Sequence, residues 1–275
     1  MTDSPAPVTG APRPQHDIDA PLRALISRAQ GFLSDAEAIA FSPCHPTPVL
    51  LRARFHIERF DPALFDALEC PCPASLHTAA LKRRAEFLAG RAMAKAALEA
   101  CALPSPEIPI GLDRAPIWPT GATGSISHAR GHCAAVAMPA ARPNVALGVD
   151  IEAFANPRAA TAIRKIALTP VDHAALKAHS APPDAEDRLA TLIFSAKETL
   201  FKTLYPTVRA HFGFDAAAVA QLAPAGDAAQ TGTLTLRLTR ALHPTLPAGA
   251  AFAVRFTLRD DHLLTWLAHP TVVTS

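Results

Sequence analysis

The chain has 275 residues, 49% hydrophobic and 18% charged, with 26 basic side chains against 24 acidic ones for a net charge of +2. That length can bury one large core or two smaller ones, and the balance of charge excludes a nucleic-acid binder that works by neutralising phosphates. No membrane association is expected either, because no stretch reaches the roughly 20 uninterrupted apolar residues of a spanning helix; the richest, 133–152, is broken by Pro139, Arg142, Pro143 and Asn144.

The first forty residues are rich in proline and are expected to be a disordered lead-in, residues 1–40. They carry no basic start and no apolar core, so they do not read as a secretory signal, and a cytoplasmic location is expected. Residues 48–57 (PVLLRARFHI) alternate as a strand does. Residues 78–102 predict a helix, with Leu81, Ala85, Leu88, Ala92, Ala96 and Leu98 at helical spacing. Gly90 inside it costs about 1 kcal/mol relative to alanine and implies close approach to the backbone. The segment 105–124 is full of Pro and Gly and is expected to be a loop with short extended pieces. Two apolar strands follow, CAAVAM (133–138) and VALGVDI (145–151), then helical signals over 156–168 and 184–204. TLTLRLT (233–239) alternates strictly, AFAVRFTL (251–258) does too, and RDDH turns the latter into LLTWLA as a hairpin. The fold class is α+β, with helices packed on antiparallel sheets and a seam near 140–147. Five cysteines with no CxxC pair argue against a disulfide framework and a structural zinc site, and Cys70-Pro71-Cys72 lacks thioredoxin-like spacing.

Four segments carry chemistry. In GVDIE (148–152), Asp150 and Glu152 are i and i+2 on a strand and so share a face, about 6.5–7 Å apart. Hard oxygen ligands so placed suit Mg²⁺; taken alone they could equally be the polar exit of a buried strand. In FSAKETLFK (194–202), Glu198 and Lys202 share a helix face. An isolated pair of this kind is ordinarily a surface ion pair, but Phe194, Ala196, Leu200 and Phe201 make this helix largely apolar, which favours a cleft-lining charge. Glu198 could then be a third metal ligand or a base, and Lys197 and Lys202 could neutralise phosphate oxygens. In KRRAEFLAGR (82–91), Arg84 and Arg91 lie two turns apart on one face with Arg83 at its edge, a bidentate anion site or a solvated basic helix start. GSISHARGH (124–132) is expected to be a loop whose small residues let a backbone approach a ligand, with His128 at the loop end. A P-loop, a dinucleotide fingerprint and a G-x-S-x-G elbow are all absent.

Four segments in chain order, KRRAEFLAGR (82–91), PIWPTGATGSISH (116–128), GVDIE (148–152) and FSAKETLFK (194–202), resemble those of the 4′-phosphopantetheinyl transferases of the Sfp-type superfamily, more narrowly the enterobactin synthetase component D branch. Smaller echoes follow at Tyr205-Pro206 and HFGFDAAAV (211–219), and the resemblance covers about residues 45–270. It implies two similar α+β halves related by a pseudo-twofold, here 41–143 and 144–272, with coenzyme A and Mg²⁺ in the cleft between them. It implies transfer of the phosphopantetheine arm of coenzyme A to a serine of an apo acyl or peptidyl carrier protein. Asp150, Glu152 and Glu198 would hold the metal, Glu198 would help deprotonate the serine, and Lys202 would stabilise the pyrophosphate. Arg83, Arg84, Arg91, Arg114 and His128 would hold the coenzyme's phosphates, with Ser127 near the nucleotide. Ala129 departs from the small hydroxyl or thiol residue usual after the histidine. Two alternatives stand beside this reading: a Mg²⁺-dependent hydrolase of a coenzyme A-like pyrophosphate, and a non-catalytic carrier-binding homologue. The length and two-half pattern predict a monomer.

Overall fold

The structure is a computed structural model; it describes residues 18–41, 47–140, 145–179, 183–225 and 230–271. Two antiparallel sheets organise the chain. The first has four strands, β1 (Leu33–Ile39), β2 (Val49–Phe55), β3 (Ala122–Ala129) and β4 (His132–Pro139), in the order β1-β2-β4-β3. The second has five, β5 (Val145–Ala153), β6 (Ala217–Ala225), β7 (Thr231–Leu238), β8 (Ala251–Leu258) and β9 (His262–Pro270), in the order β5-β9-β8-β7-β6.

Each sheet lies under one long helix. Helix α3 (Leu81–Ala100) covers the first sheet beside the short helices α1 (Asp19–Arg28) and α2 (Leu64–Ala67). Its alanines allow a close approach, and Ala85, Ala89, Ala92 and Ala96 are all buried. Gly90 is the closest point: a Cβ there would stand 2.9 Å from Ile126 Cγ2 on β3. Helix α6 (Pro183–Val208) covers the second sheet, flanked by α4 (Pro157–Ala167) and α5 (Pro170–His179). Asn156 caps α4 by accepting the Ala159 N–H at 2.9 Å, with Pro157 in the first turn.

The sheets meet through a third apolar layer. Leu50, Ala134, Val136 and Met138 of the first sheet pack on Leu147, Val149, Ile151, Leu264 and Trp266 of the second. Strands β4 and β5 are therefore buried on both faces, which is why their sequences read as continuous apolar runs, whereas β2 is buried on both faces only over Val49–Leu51 and turns Arg52 and Arg54 outward beyond it. The α+β class and the two-sheet organisation agree with the sequence reading. Two local expectations fail. Residues 19–39 are not a disordered lead-in: they form α1 and β1, and Leu33–Ile39 pairs with β2; residues 1–17 lie outside the described residues, as do 141–144 of the expected seam. GSISH is a strand, paired with β4 along its length. Helix α5 and strand β6 were not foreseen.

Candidate active site

The site forms where β3, β5 and α6 converge. Strand β3 serves two directions by simple alternation. Ser125 and Ser127 face β5: Ser125 Oγ accepts the Val149 N–H at 3.2 Å, and Ser127 Oγ donates to Asp150 Oδ1 at 2.8 Å. Ile126 and His128 face α3 and line a cleft. One strand thus joins the two sides of the site.

Helix α6 can reach β5 because residue 148 has no side chain. A Cβ on Gly148 would lie 2.1 Å from Thr203 Oγ1 and 2.3 Å from the Thr199 carbonyl. With the helix pressed onto the strand there, Ser195 Oγ donates to Asp150 Oδ2 at 2.7 Å, and Lys202 Nζ approaches Asp150 Oδ1 at 2.7 Å. Lys202 also donates to Ser127 Oγ at 3.0 Å and to the Val149 carbonyl at 3.1 Å. Asp150, 3% exposed, is fixed by both oxygens.

Glu152 and Glu198 complete the acidic group. Burial, then the neighbouring charge of Asp150, pushes Glu152 up to about 8, opposed by Lys202 and reinforced by Glu198. Burial and Asp150 raise Glu198 also, with Lys202 and His211 opposing. Three half-buried or buried carboxylates here share one ammonium, so the site is short of positive charge, and its oxygen donors suit a hard divalent cation. Their oxygens do not all converge to within 4.8 Å; among the described residues the one group of three His, Cys, Asp or Glu side chains that does so is His132, Asp261 and His262, elsewhere in the molecule.

Next to the acidic group lies a cleft of about 440 Å³, within the size range of small-molecule sites. Arg83, Arg91, Arg114 and His128 line it together with Glu86 and Gly90. Arg83 Nη1 is 3.4 Å from His128 Nε2, and His128 Nδ1 is 3.9 Å from Glu86 Oε2. Burial holds the His128 pKa below the usual imidazole value. Arg114 closes a tight turn at φ 68°, its N–H donating to the Gly111 carbonyl at 2.9 Å.

Two cations expected to bind phosphate are engaged otherwise. Lys197 is one residue from Glu198, so it projects about 100° round the helix into the second half's core. There it pairs with the fully buried Asp172 at 2.5 Å and donates to the carbonyls of Ala167 at 2.9 Å and Phe214 at 3.0 Å. It is a structural ion pair. Arg84 lies over the Phe60 ring, 5.7 Å from its centroid, outside the cleft lining. Arg91 shares the helix face of Arg84 but diverges from it: its guanidinium covers Phe87 at 4.7 Å and Nε donates to the Ile108 carbonyl at 2.7 Å. Burial brings its pKa down to about 10, which leaves it charged at the edge of the cleft.

The sequence reading passed over Ser195, Ser125, Asp172 and Glu86. Ser195 lies inside the quoted FSAKETLFK, three residues before Glu198 and hence on its helix face, so a signal existed. Asp172 carried a local signal only, as the acidic end of the capping box Thr169–Asp172, where it accepts the Thr169 N–H at 2.7 Å; its partners Lys197 and Val219 come from distant segments.

Comparison with known proteins bears on this geometry. Residues 73–138 match the 4′-phosphopantetheinyl transferase N-terminal domain family, and residues 146–259 match the 4′-phosphopantetheinyl transferase superfamily. The chain is 38% identical over 213 residues to enterobactin synthase component D of Salmonella typhi, covering 76% of this chain and 80% of that protein. Enterobactin synthase component D of Escherichia coli strain K12 is 37% identical over 156 residues, 54% of this chain and 68% of its own. The 4′-phosphopantetheinyl transferase Svp of Streptomyces mobaraensis is 36% identical over 159 residues, 57% of this chain and 60% of its own. Both family matches fall on the two sheets whose meeting line carries the acidic group, and the chain belongs to the 4′-phosphopantetheinyl transferase superfamily, in the enterobactin synthase component D branch.

Proposed function

We propose that this transferase works at the junction of the arginine-lined cleft and the Asp150–Glu152–Glu198 group, with coenzyme A and Mg²⁺ as co-substrate and cofactor. The observation that carries the reading is the direct contact of the two: Ser127, bonded to Asp150, and His128, lining the cleft, are consecutive residues of one strand.

Asp150, Glu152 and Glu198 would hold the cation, which supplies charge neutralisation at the pyrophosphate. Arg83, Arg114 and His128 hold the coenzyme's phosphates, with Arg91 at the edge through whatever donors its carbonyl bond leaves. The serine hydroxyl of the carrier attacks the phosphorus that bears the pantetheine arm; the P–O bond to adenosine 3′,5′-bisphosphate breaks. Glu198 takes the hydroxyl proton, a role favoured by its raised pKa. Lys202 meets the charge that grows on the leaving phosphate. Little covalent chemistry is asked of the protein, since phosphoryl transfer depends on positioning and electrostatics.

Relatives named enterobactin synthase component D support a carrier protein of siderophore assembly as the first substrate to try. The protein acts as a monomer in the cytoplasm; among the described residues no helix is long and apolar enough to cross a membrane. The deciding experiment is the intact mass of an apo peptidyl carrier protein after incubation with the enzyme, coenzyme A and Mg²⁺. The carrier gains one phosphopantetheine arm, and EDTA abolishes the gain. Consumption of coenzyme A with the carrier unmodified would point instead to a pyrophosphate hydrolase.

A further inference from the structure

Away from the active site, at the polar end of the apolar layer between the sheets, two histidines from different halves lie face to face. His132 begins β4 and His262 begins β9; their rings stack with centroids 4.2 Å apart and planes at 24°. Both are nearly sealed from solvent, at 2% and 3% exposure. Asp261, at the β8–β9 turn, serves both: Oδ1 lies 2.6 Å from His262 Nδ1 and Oδ2 lies 3.4 Å from His132 Nε2.

The hydrogen-bond inventory is what singles this group out. A neutral imidazole has one N–H and one lone pair, and a carboxylate only accepts. His262 therefore gives its Nδ1 proton to Asp261, and the same orientation directs the Nε2 proton of His132 there. The remaining nitrogens, His262 Nε2 and His132 Nδ1, are buried with no partner in the protein. The nitrogens that meet the carboxylate are His262 Nδ1 and His132 Nε2, and a cation that replaces the protons shared there takes both nitrogens and an Asp261 oxygen as ligands, the outer nitrogens then carrying the N–H.

We propose that His132 and His262, with Asp261, form a binding site for a borderline transition-metal ion of the Zn²⁺ class, distinct from the Mg²⁺ site, that ties the first half of the molecule to the second. The three side chains offer ligand atoms all within 4.8 Å of one another. The donor set of two imidazoles and one carboxylate without sulfur selects zinc-like ions over Mg²⁺. The three nearby arginines face four carboxylates: Arg52 and Arg259 share Glu37 at 2.6 and 3.1 Å, Arg54 pairs with Asp261 at 3.3 Å, and Asp35 and Asp260 line the same recess. An open recess of about 310 Å³, lined by Asp35, Arg52, Gln230 and Asp260 beside the histidines, gives an ion a way in. The cysteine count could not reveal such a site, because it uses none.

The test is Zn²⁺ titration of the full chain, stripped with EDTA and returned to millimolar Mg²⁺, read by calorimetry and by the thermal midpoint. One equivalent of Zn²⁺ binds and raises the midpoint; His132→Gln and His262→Gln each weaken that binding about tenfold or more and remove the thermal shift. Asp261→Asn, a nearly isosteric change at a turn residue whose side chain is 49% exposed, keeps the fold if the histidine variants do not, and it too weakens binding. Co²⁺ in place of Zn²⁺ gives visible ligand-field bands in the parent chain that are absent from these variants. Absence of a stoichiometric Zn²⁺ site, or uptake and bands that persist in all three variants, overturns the proposal.

Discussion

At the scale of single residues, the site separates charges that act on substrate from charges that hold the fold, and neighbours in sequence fall on opposite sides of that division. Lys202 and Lys197 illustrate it. Lys202 meets Asp150 in a half-open site, so Lys202→Met is expected to lower kcat/KM for carrier modification by about 10²–10³, the loss typical of one preorganised charge or donor. Glu198→Gln abolishes transfer, while its far-ultraviolet dichroism and thermal midpoint stay near the parent's. Lys197 behaves differently. Its ammonium is 2% exposed against an Asp172 that is fully buried, and removing one partner of such a pair strands the other charge at a cost of about 3–5 kcal/mol. Lys197→Met therefore destabilises the chain by roughly 3 kcal/mol in urea titration, with no change in KM for coenzyme A per folded molecule. A large rise in that KM at unchanged stability would return Lys197 to the phosphate site.

At the scale of elements, what brings the site together is how closely helices approach strands. Gly148 sets the distance of α6 from β5: a methyl group there would lie within 2.1 Å of Thr203 and 2.3 Å of the Thr199 backbone, and neither can yield without moving the helix. Gly148→Ala should cost about 1–3 kcal/mol as overpacking and reduce transfer further than the stability loss alone explains, because Ser195 and Lys202 retreat from Asp150 together. Activity measured well below the thermal midpoint checks this. The same elements show what the sequence could convey. Strands β7, β8 and β9 were legible, since each alternates or ends in a turn signal, and α3 and α6 were legible from their apolar periodicity. Strand β3 was not: GSISH is made of turn-forming residues, and it is a strand because Ser125 and Ser127 are satisfied by β5 while Trp118 lies over Gly124. Helix α1 and strand β1 were hidden by the proline-rich stretch before them. The candidate site was legible as a set of residue types at fixed spacings; which arginine turns inward was not, because Arg84 is drawn off by Phe60 and Arg91 by Ile108, contacts from distant segments.

At the scale of the whole molecule, two halves are pressed together along a line that carries acid at one place and histidine at another, so stability depends on how those charges are met. Glu152 offers the clearest test. Its pKa is about 8 in the folded chain against an ordinary 4.5, so between these values the folded state holds a proton that the unfolded state has released. Stability then falls as pH rises through that window, and above about 8 the folded carboxylate ionises and the loss is complete. Glu152→Gln removes the titration. In EDTA the variant should therefore gain on the parent from pH 5 to pH 8, by about 2 kcal/mol at the upper end, measured by urea denaturation at each pH. Millimolar Mg²⁺ should shrink that gap by stabilising the parent and not the variant, since only the parent keeps the full set of carboxylates. A gap that stays constant with pH would mean that Glu152 ionises freely and lies outside the acidic group. A gap that grows with pH but ignores Mg²⁺ would keep Glu152 in the group and remove it from the metal.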